Sequence, residues 1–298
     1  MTMSPARSVT AFAVAMLGIA LFSVMDAVLK SLVIALGVYT TLLWRNLAGS
    51  LISGALYFAR PQKPMTRAAL KVHCQRAAVS TVMALAFFWG LARTPIAQAV
   101  ALTFIAPLLS LVLASTLLRE RIARITIAAS SIAFGGVVVI LVGQWRAEPG
   151  PQALLGAIAV LCSALLYAFN LVLMRRQALV ADPIEVAFSQ SVLVTMLLAC
   201  GAPFFAAIPP LRCAGPLVAA ALLAVVSLWL LAWAYARSEA SHLSTTEYTA
   251  FVWGALLGWL LFDESVTAIT AIGAALIVLG CVLATRARPQ AVAEIEVV

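Results

Sequence analysis

Charge is scarce in this chain. Only 10% of its 298 residues are charged and 64% are hydrophobic, where soluble domains carry about 25% charge. Mean hydropathy is +1.08. A water-soluble protein with a buried core is excluded, because so few polar side chains cannot cover its surface. Cysteine is sparse too: Cys74, Cys162, Cys200, Cys213 and Cys281 stand singly. No CxxC or Cys/His spacing is present, so neither a zinc site nor a redox pair is expected. Walker A, GxGxxG, HExxH and GxSxG motifs are also missing, which leaves ATP drive and hydrolytic chemistry without equipment. The expectation is a non-enzyme with no cofactor and no metal. The net charge of +8 does not point to nucleic acid, since the basic residues fall in short gaps between apolar runs rather than on one soluble face.

Long apolar runs dominate the rest. A membrane span needs about 20 mostly apolar residues, and gaps at charged, Pro and Gly clusters delimit ten candidates. These are approximately 9–29, 38–59, 73–92, 96–118, 125–143, 153–174, 184–206, 216–236, 241–262 and 267–285. Their length predicts helices, because barrel strands are shorter and alternate. The first run is read as a retained span: it is long for a signal peptide, lacks a clear cleavage site and carries Asp26 and Lys30 at its far end. Cations then orient the chain. One set of gaps holds fourteen, among them Arg60, Lys63, Arg119, Arg175 and Arg286; the alternate set holds Lys30, Arg93, Arg146 and Arg212. The positive-inside rule places both termini in the cytoplasm, which requires an even number of spans.

The two halves resemble one another at a shift of 144 residues. Asp26 falls on Asn170, "WGLARTP" from Trp89 on "WAYARSE" from Trp233, "LLRE" ending at Glu120 on "LFDE" ending at Glu264, and Ile125-Thr126 on Ile269-Thr270. An ordered series at one offset indicates duplication. Each copy holds five spans, an odd number, so the second enters the membrane from the opposite side. The expected architecture is all-α: ten transmembrane helices as two inverted five-helix repeats, 1–143 and 153–285, with a cytoplasmic tail at 286–298. Many secondary transporters use such repeats, with the substrate site near the midplane between them.

"FFWGLARTPIAQAVALTFIAPLLSLVLASTLLRERI" followed by "GGVVVIL", and "YTAFVWGALLGWLLFDESV" followed by "GAALIVLGCVL", resemble the paired pattern of the drug/metabolite transporter superfamily, in its EamA-type ten-helix form. The likeness covers almost the whole chain. The second copy departs from the pattern where Phe251 stands opposite Pro107, which sets aside symmetrical kinking of spans four and nine. The resemblance implies transport of a small metabolite across a bacterial inner membrane. It also implies that spans one to four and six to nine enclose the pathway, leaving five and ten for packing or a homodimer contact. Lipid and a small-molecule substrate are the partners expected.

Ionisable residues inside spans are functional candidates and need partners. Asp26 and Arg45 lie at similar depth on spans one and two, either fastening those spans or forming an outer gate or a substrate contact. Glu247 lies on span nine, on the face of Ser244, Phe251 and Gly254; it is a candidate proton or ammonium acceptor. Asn170, the repeat-mate of Asp26, is uncharged. Gln98 and Thr103 on span four, and Ser189 and Gln190 on span seven, offer amides and hydroxyls to a substrate or to neighbouring helices. Tyr167, Trp229, Tyr248 and Trp253 are the aromatics placed to line a cavity. Pro107, mid-span, should kink its helix. Glu120 and Glu264 are read as favouring the N-terminus of a following helix. The expected activity is secondary transport by alternating access, in the export direction, with proton coupling left open. An uptake carrier of the same fold and a lipid-modifying enzyme are the alternatives; the enzyme would need a clustered constellation, and Asp26, His242 and Glu247 are dispersed.

Overall fold

The structure is a computed structural model that describes residues 5–59, 61, 65–106, 109, 124–146, 151–178, 180–235 and 249–286. Among these residues there is no strand, and ten α-helices follow in order: α1 Pro5–Leu36, α2 Val38–Phe58, α3 Arg67–Leu91, α4 Ile96–Thr103, α5 Arg124–Arg146, α6 Pro151–Ala178, α7 Pro183–Phe205, α8 Ala214–Tyr235, α9 Thr249–Phe262 and α10 Ala268–Arg286. Five stretches are long and apolar enough to cross a membrane by themselves: Ala13–Leu36, Arg67–Leu91, Gln152–Asn170, Ile184–Phe205 and Leu211–Leu231.

The punctuation is local chemistry. Gly37, at φ 80, supplies the left-handed residue that separates α1 from α2. Thr66 accepts from the N–H of Ala69 to cap α3. Asp182 accepts from Ile184 and Glu185 to cap α7, with Pro183 behind it in the first turn. Asp263, at φ 56, turns the chain out of α9.

Polar and charged side chains are held within an otherwise apolar core, while large apolar side chains face outward. Lys30, His73, Arg76, Gln98, Asn170, Gln177 and Glu185 are buried, while Leu51, Phe58, Phe134, Phe204 and Trp259 are exposed. Only an apolar solvent makes that arrangement favourable: it solvates the outer Leu and Phe and drives polar groups to pair inside.

Helices far apart in sequence pack in pairs: α5 on α10, α3 on α6, α1 on α8 and α2 on α7. Small residues bring them together. A Cβ at Gly90 would lie 2.5 Å from Gly156 O and 2.6 Å from a Val160 methyl, and one at Gly136 would lie 2.5 Å from Gly273 O. Backbones this close are how helices associate in lipid, where no hydrophobic effect drives them. Gly90→Ala is therefore expected to destabilise the protein by about 1–3 kcal/mol through overpacking. Gly135→Ala, with nothing within 4 Å of the added carbon, should be neutral or stabilising. Thermal unfolding of the two purified variants checks this.

Candidate functional site

Three sets of polar groups are held inside the bundle. The first lies on α2, α7 and α9. These residues have buried polar atoms without a protein partner: Thr41 Oγ1, Arg45 Nε, Ser189 Oγ, Gln190 Oε1 and Trp253 Nε1. Each such atom costs about 1–3 kcal/mol, so five of them require an explanation. The rest of the Arg45 guanidinium is weakly held, donating to Asn46 Oδ1 at 3.1 Å and to Met25 Sδ at 3.4 Å. Asp26 is half-buried on α1. It forms no contact ion pair with Arg45, though each feels the other's charge at longer range. A direct Asp26–Arg45 fastening of α1 to α2 is therefore absent. α2 and α7 are fixed to one another by Ser50 Oγ···Thr195 Oγ1 at 3.0 Å, by Trp44 Nε1 donating to Ala207 O at 3.0 Å, and by Tyr57 stacked on Phe188.

The second set ties the end of α1 to two turns. Lys30 Nζ, buried at 4% exposure, donates to Thr94 O at 2.7 Å and pairs with Glu264 Oε1. It also lies 5.0 Å from the centre of the Phe262 ring. The other Glu264 oxygen accepts from Ile96 N–H, the first residue of α4, at 2.8 Å. One carboxylate thus neutralises a buried ammonium and caps a helix N-terminus. Gly258, in α9, leaves room for it there: a Cβ would sit 2.7 Å from Glu264 Oε2.

The third set joins α3, α6 and α7. Arg76 Nη1 donates to Gln177 Oε1, and Gln177 Nε2 bonds His73 Nδ1. His73 Nε2 lies 3.2 Å from Glu185 Oε1. Arg76 Nε and Ser80 Oγ both donate to Asn170 Oδ1. From His73 to Thr94 is about 30 Å along the axis of α3 at 1.5 Å per residue, the thickness of a bilayer core. The second and third sets therefore occupy opposite ends of the bundle.

The sequence model of the EamA-like transporter family matches residues 9–142 and again 154–286. The chain belongs to that family. A riboflavin transporter of Rhizobium johnstonii is 29% identical over 208 residues, 69% of this chain and 67% of that protein. A pseudopaline exporter of Pseudomonas aeruginosa is 24% identical over 275 residues, 90% of this chain and 93% of the exporter. A solved crystal structure at 22% identity shares the fold, with a TM-score of 0.63 over 93% of this chain and 97% of its own. This EamA-family protein is thus a multi-pass membrane protein and a small-molecule transporter rather than an enzyme.

Within this transporter the residues singled out from sequence separate. Arg45, Gln190 and Trp253 fall in the unpartnered set. Gln98 is buried in α4. Thr103 spends its hydroxyl on Val100 O, 2.7 Å away in its own helix, and Asn170 belongs to the third set. Tyr167 is half-buried against Ala106, Ala164 and Ala168. Trp229 is 47% exposed, on a shallow groove with Ser53, Ile184 and Leu228. Glu247, Tyr248 and Pro107 lie outside the described residues. Glu264 caps α4 rather than the helix that follows it. Lys30, His73, Arg76, Gln177 and Glu185 are not among the site candidates from sequence, where Lys30 counts as a gap cation. The available signal was spacing: His73, Arg76 and Ser80 recur at i, i+3 and i+7, and Asn170 and Gln177 are seven apart, which places each set on one helical face.

Proposed function

We propose that this protein is a secondary carrier of two inverted five-helix repeats, 1–143 and 153–285, which moves a small polar organic metabolite by alternating access. The supporting observation is how helices one repeat apart meet. On α2 and α7, Tyr57 meets Phe188 while Ser50 meets Thr195. On α5 and α10, Gly136 meets Gly273 and Ile277, while Gly143 meets Ile269. In both pairs residue numbers rise on one helix as they fall on the other, so equivalent helices run antiparallel. The α3–α6 packing is likewise mirrored by α8 on α1, its equivalent at a shift of five helices. An odd-numbered repeat inserted in both directions has this geometry.

Arg45 and Asn46 occupy the positions equivalent to Ser189 and Gln190 at the shift of 144. Because α2 and α7 run antiparallel, Arg45 and the Ser189–Gln190 pair fall on opposite sides of the Ser50–Thr195 contact, and in this reading each lines the pathway from its own side. One cation, an amide, hydroxyls and an indole suit a polar metabolite with aromatic or anionic character. The names of the riboflavin transporter and the pseudopaline exporter are in keeping with that class. In this reading both termini and the tail at 286–298 are cytoplasmic, the membrane is a bacterial inner membrane, and the direction is export. Glu247 is the proton-coupling candidate, and the apolar outer faces of α5 and α10 are the place for a homodimer contact.

The test is flux in proteoliposomes against a metabolite panel, with and without a pH gradient. A folded, inserted protein that moves nothing would overturn the carrier reading. Arg45→Gln is expected to cut flux at least tenfold while leaving thermal stability equal or higher, because it removes a buried charge with an unpaired donor. If Arg45→Gln unfolds the protein, Arg45 is structural instead.

A further inference from the structure

A cavity of about 240 Å³ lies where the α3–α4 turn, α4, α5, α6 and the α9–α10 connection converge. Its polar lining is Arg93, Gln98, Ser265, Thr267 and Thr270; among the described residues that line it there is one cation and no carboxylate. Glu264, the chain neighbour of the lining residue Ser265, is committed to Lys30 and Ile96 N–H. Arg93 is held in place: its guanidinium stacks on the Trp89 ring, 3.8 Å from the centroid, and donates to Trp89 O at 2.9 Å. One of its five N–H groups is used there, leaving a pre-ordered fork of donors. Across the cavity Thr267 and Thr270 share a hydroxyl contact at 2.9 Å, and Thr267 Oγ1 also accepts from Thr270 N–H. Two hydroxyls bonded to each other use one hydrogen, so the second is left to donate.

We propose that this cavity binds a small organic anion, a single ring or short chain bearing a carboxylate, with Arg93 holding the carboxylate and the Thr267–Thr270 pair donating from the opposite wall. The size agrees: a cavity of about 150 Å³ holds a benzene, so this one takes a ring and its carboxylate. Arg93, Pro95 and Ser265 are the chain neighbours of Thr94, Ile96 and Glu264, the groups that tie the two turns to Lys30. An anion bridging Arg93 and Thr270 joins the same two connections, and its binding stabilises that tie. The site is separate from the unpartnered atoms on α2 and α7, and its ligand need not be the molecule carried.

The experiment uses full-length protein in nanodiscs of zwitterionic lipid, titrated with benzoate and, as the neutral isostere, benzamide, read by calorimetry and tryptophan fluorescence. Saturable benzoate binding is expected, at least tenfold weaker for Arg93→Gln and several-fold weaker for Thr270→Val, with benzamide no better than background. Equal binding of benzoate and benzamide, wild-type binding by both variants, or no saturable benzoate binding would overturn the proposal. A second arm adds phosphatidylglycerol; if that lipid displaces benzoate at membrane concentrations, the cavity is a lipid headgroup site and the small-anion assignment fails. Thr270→Val serves if Arg93→Gln does not fold. Binding is read without a gradient, so failure of flux and failure of this site are distinguishable.

Discussion

Glu264→Gln is expected to destabilise the protein by about 3–5 kcal/mol, the cost of removing one partner of a buried ion pair. Glutamine keeps the volume and can still accept from Ile96 N–H. It loses the charge, so Lys30, 4% exposed, is left with Thr94 O and the face of Phe262 as its company. Lys30→Met should cost less. There the stranded group is Glu264, which retains Ile96 N–H and the positive end of α4. The double variant Lys30→Met/Glu264→Gln should recover most of the loss, because neither charge remains to be solvated. Thermal unfolding of the detergent-purified proteins measures all three. Equal stability of Glu264→Gln and wild type would mean that water, not Glu264, solvates the ammonium. A second readout is local: Gln98→Cys in a cysteine-free background, buried beside this tie, should react faster with a maleimide when Glu264 is glutamine.

This tie also marks where sequence reasoning ended. The helices among the described residues were legible because a membrane demands unbroken apolar runs, and each run overlaps one. Their ends were not. The first span was expected to stop at 29 and the third to begin at 73, yet α1 continues to Leu36 and α3 starts at Arg67. At α1 the cation Lys30 is not a sign of water: it stays inside because its partner Glu264 comes from 234 residues away. At α3 the added first turn carries Arg67 and Lys71, both exposed, while Arg76 inside the span is held by Gln177, 101 residues away. A single sequence gives no hint of such pairings. The aromatic candidates divided for a related reason: a helix apolar all round has no periodicity to tell its inner from its outer face, so Trp253 turned inward and Trp229 half outward. Arg45 and Gln190 were recoverable because a polar side chain in a span must face protein or a pathway. Thr41, small and unremarkable in sequence, joined them only through its position on α2.

At the opposite end of α3, Gln177→Leu is expected to cost about 3–5 kcal/mol. The orientation of the Gln177 amide follows from its neighbours. Arg76 has only donors, so the oxygen must face it, and the NH₂ must then donate to His73 Nδ1. His73 accordingly carries its hydrogen on Nε2 and donates to Glu185. Leucine strands a guanidinium N–H and an imidazole acceptor together, in a place where His73 and Gln177 are fully buried, and each orphan costs about 1–3 kcal/mol, more for the charged one. Adding His73→Leu should return part of the loss by removing one orphan. Ser80→Ala should cost only about 1 kcal/mol, since Asn170 keeps Arg76 as a donor. If alternating access is the mechanism, the two ties cannot stay closed throughout the cycle, and each must open while the other holds. Loosening the α3–α6–α7 network should then bias the carrier toward opening at that end, and Glu264→Gln toward opening at the other. Impermeant maleimide applied to one side of oriented vesicles, with single cysteines beside each tie, should report opposite changes for the two variants. Parallel changes would mean that both networks only hold the helices together.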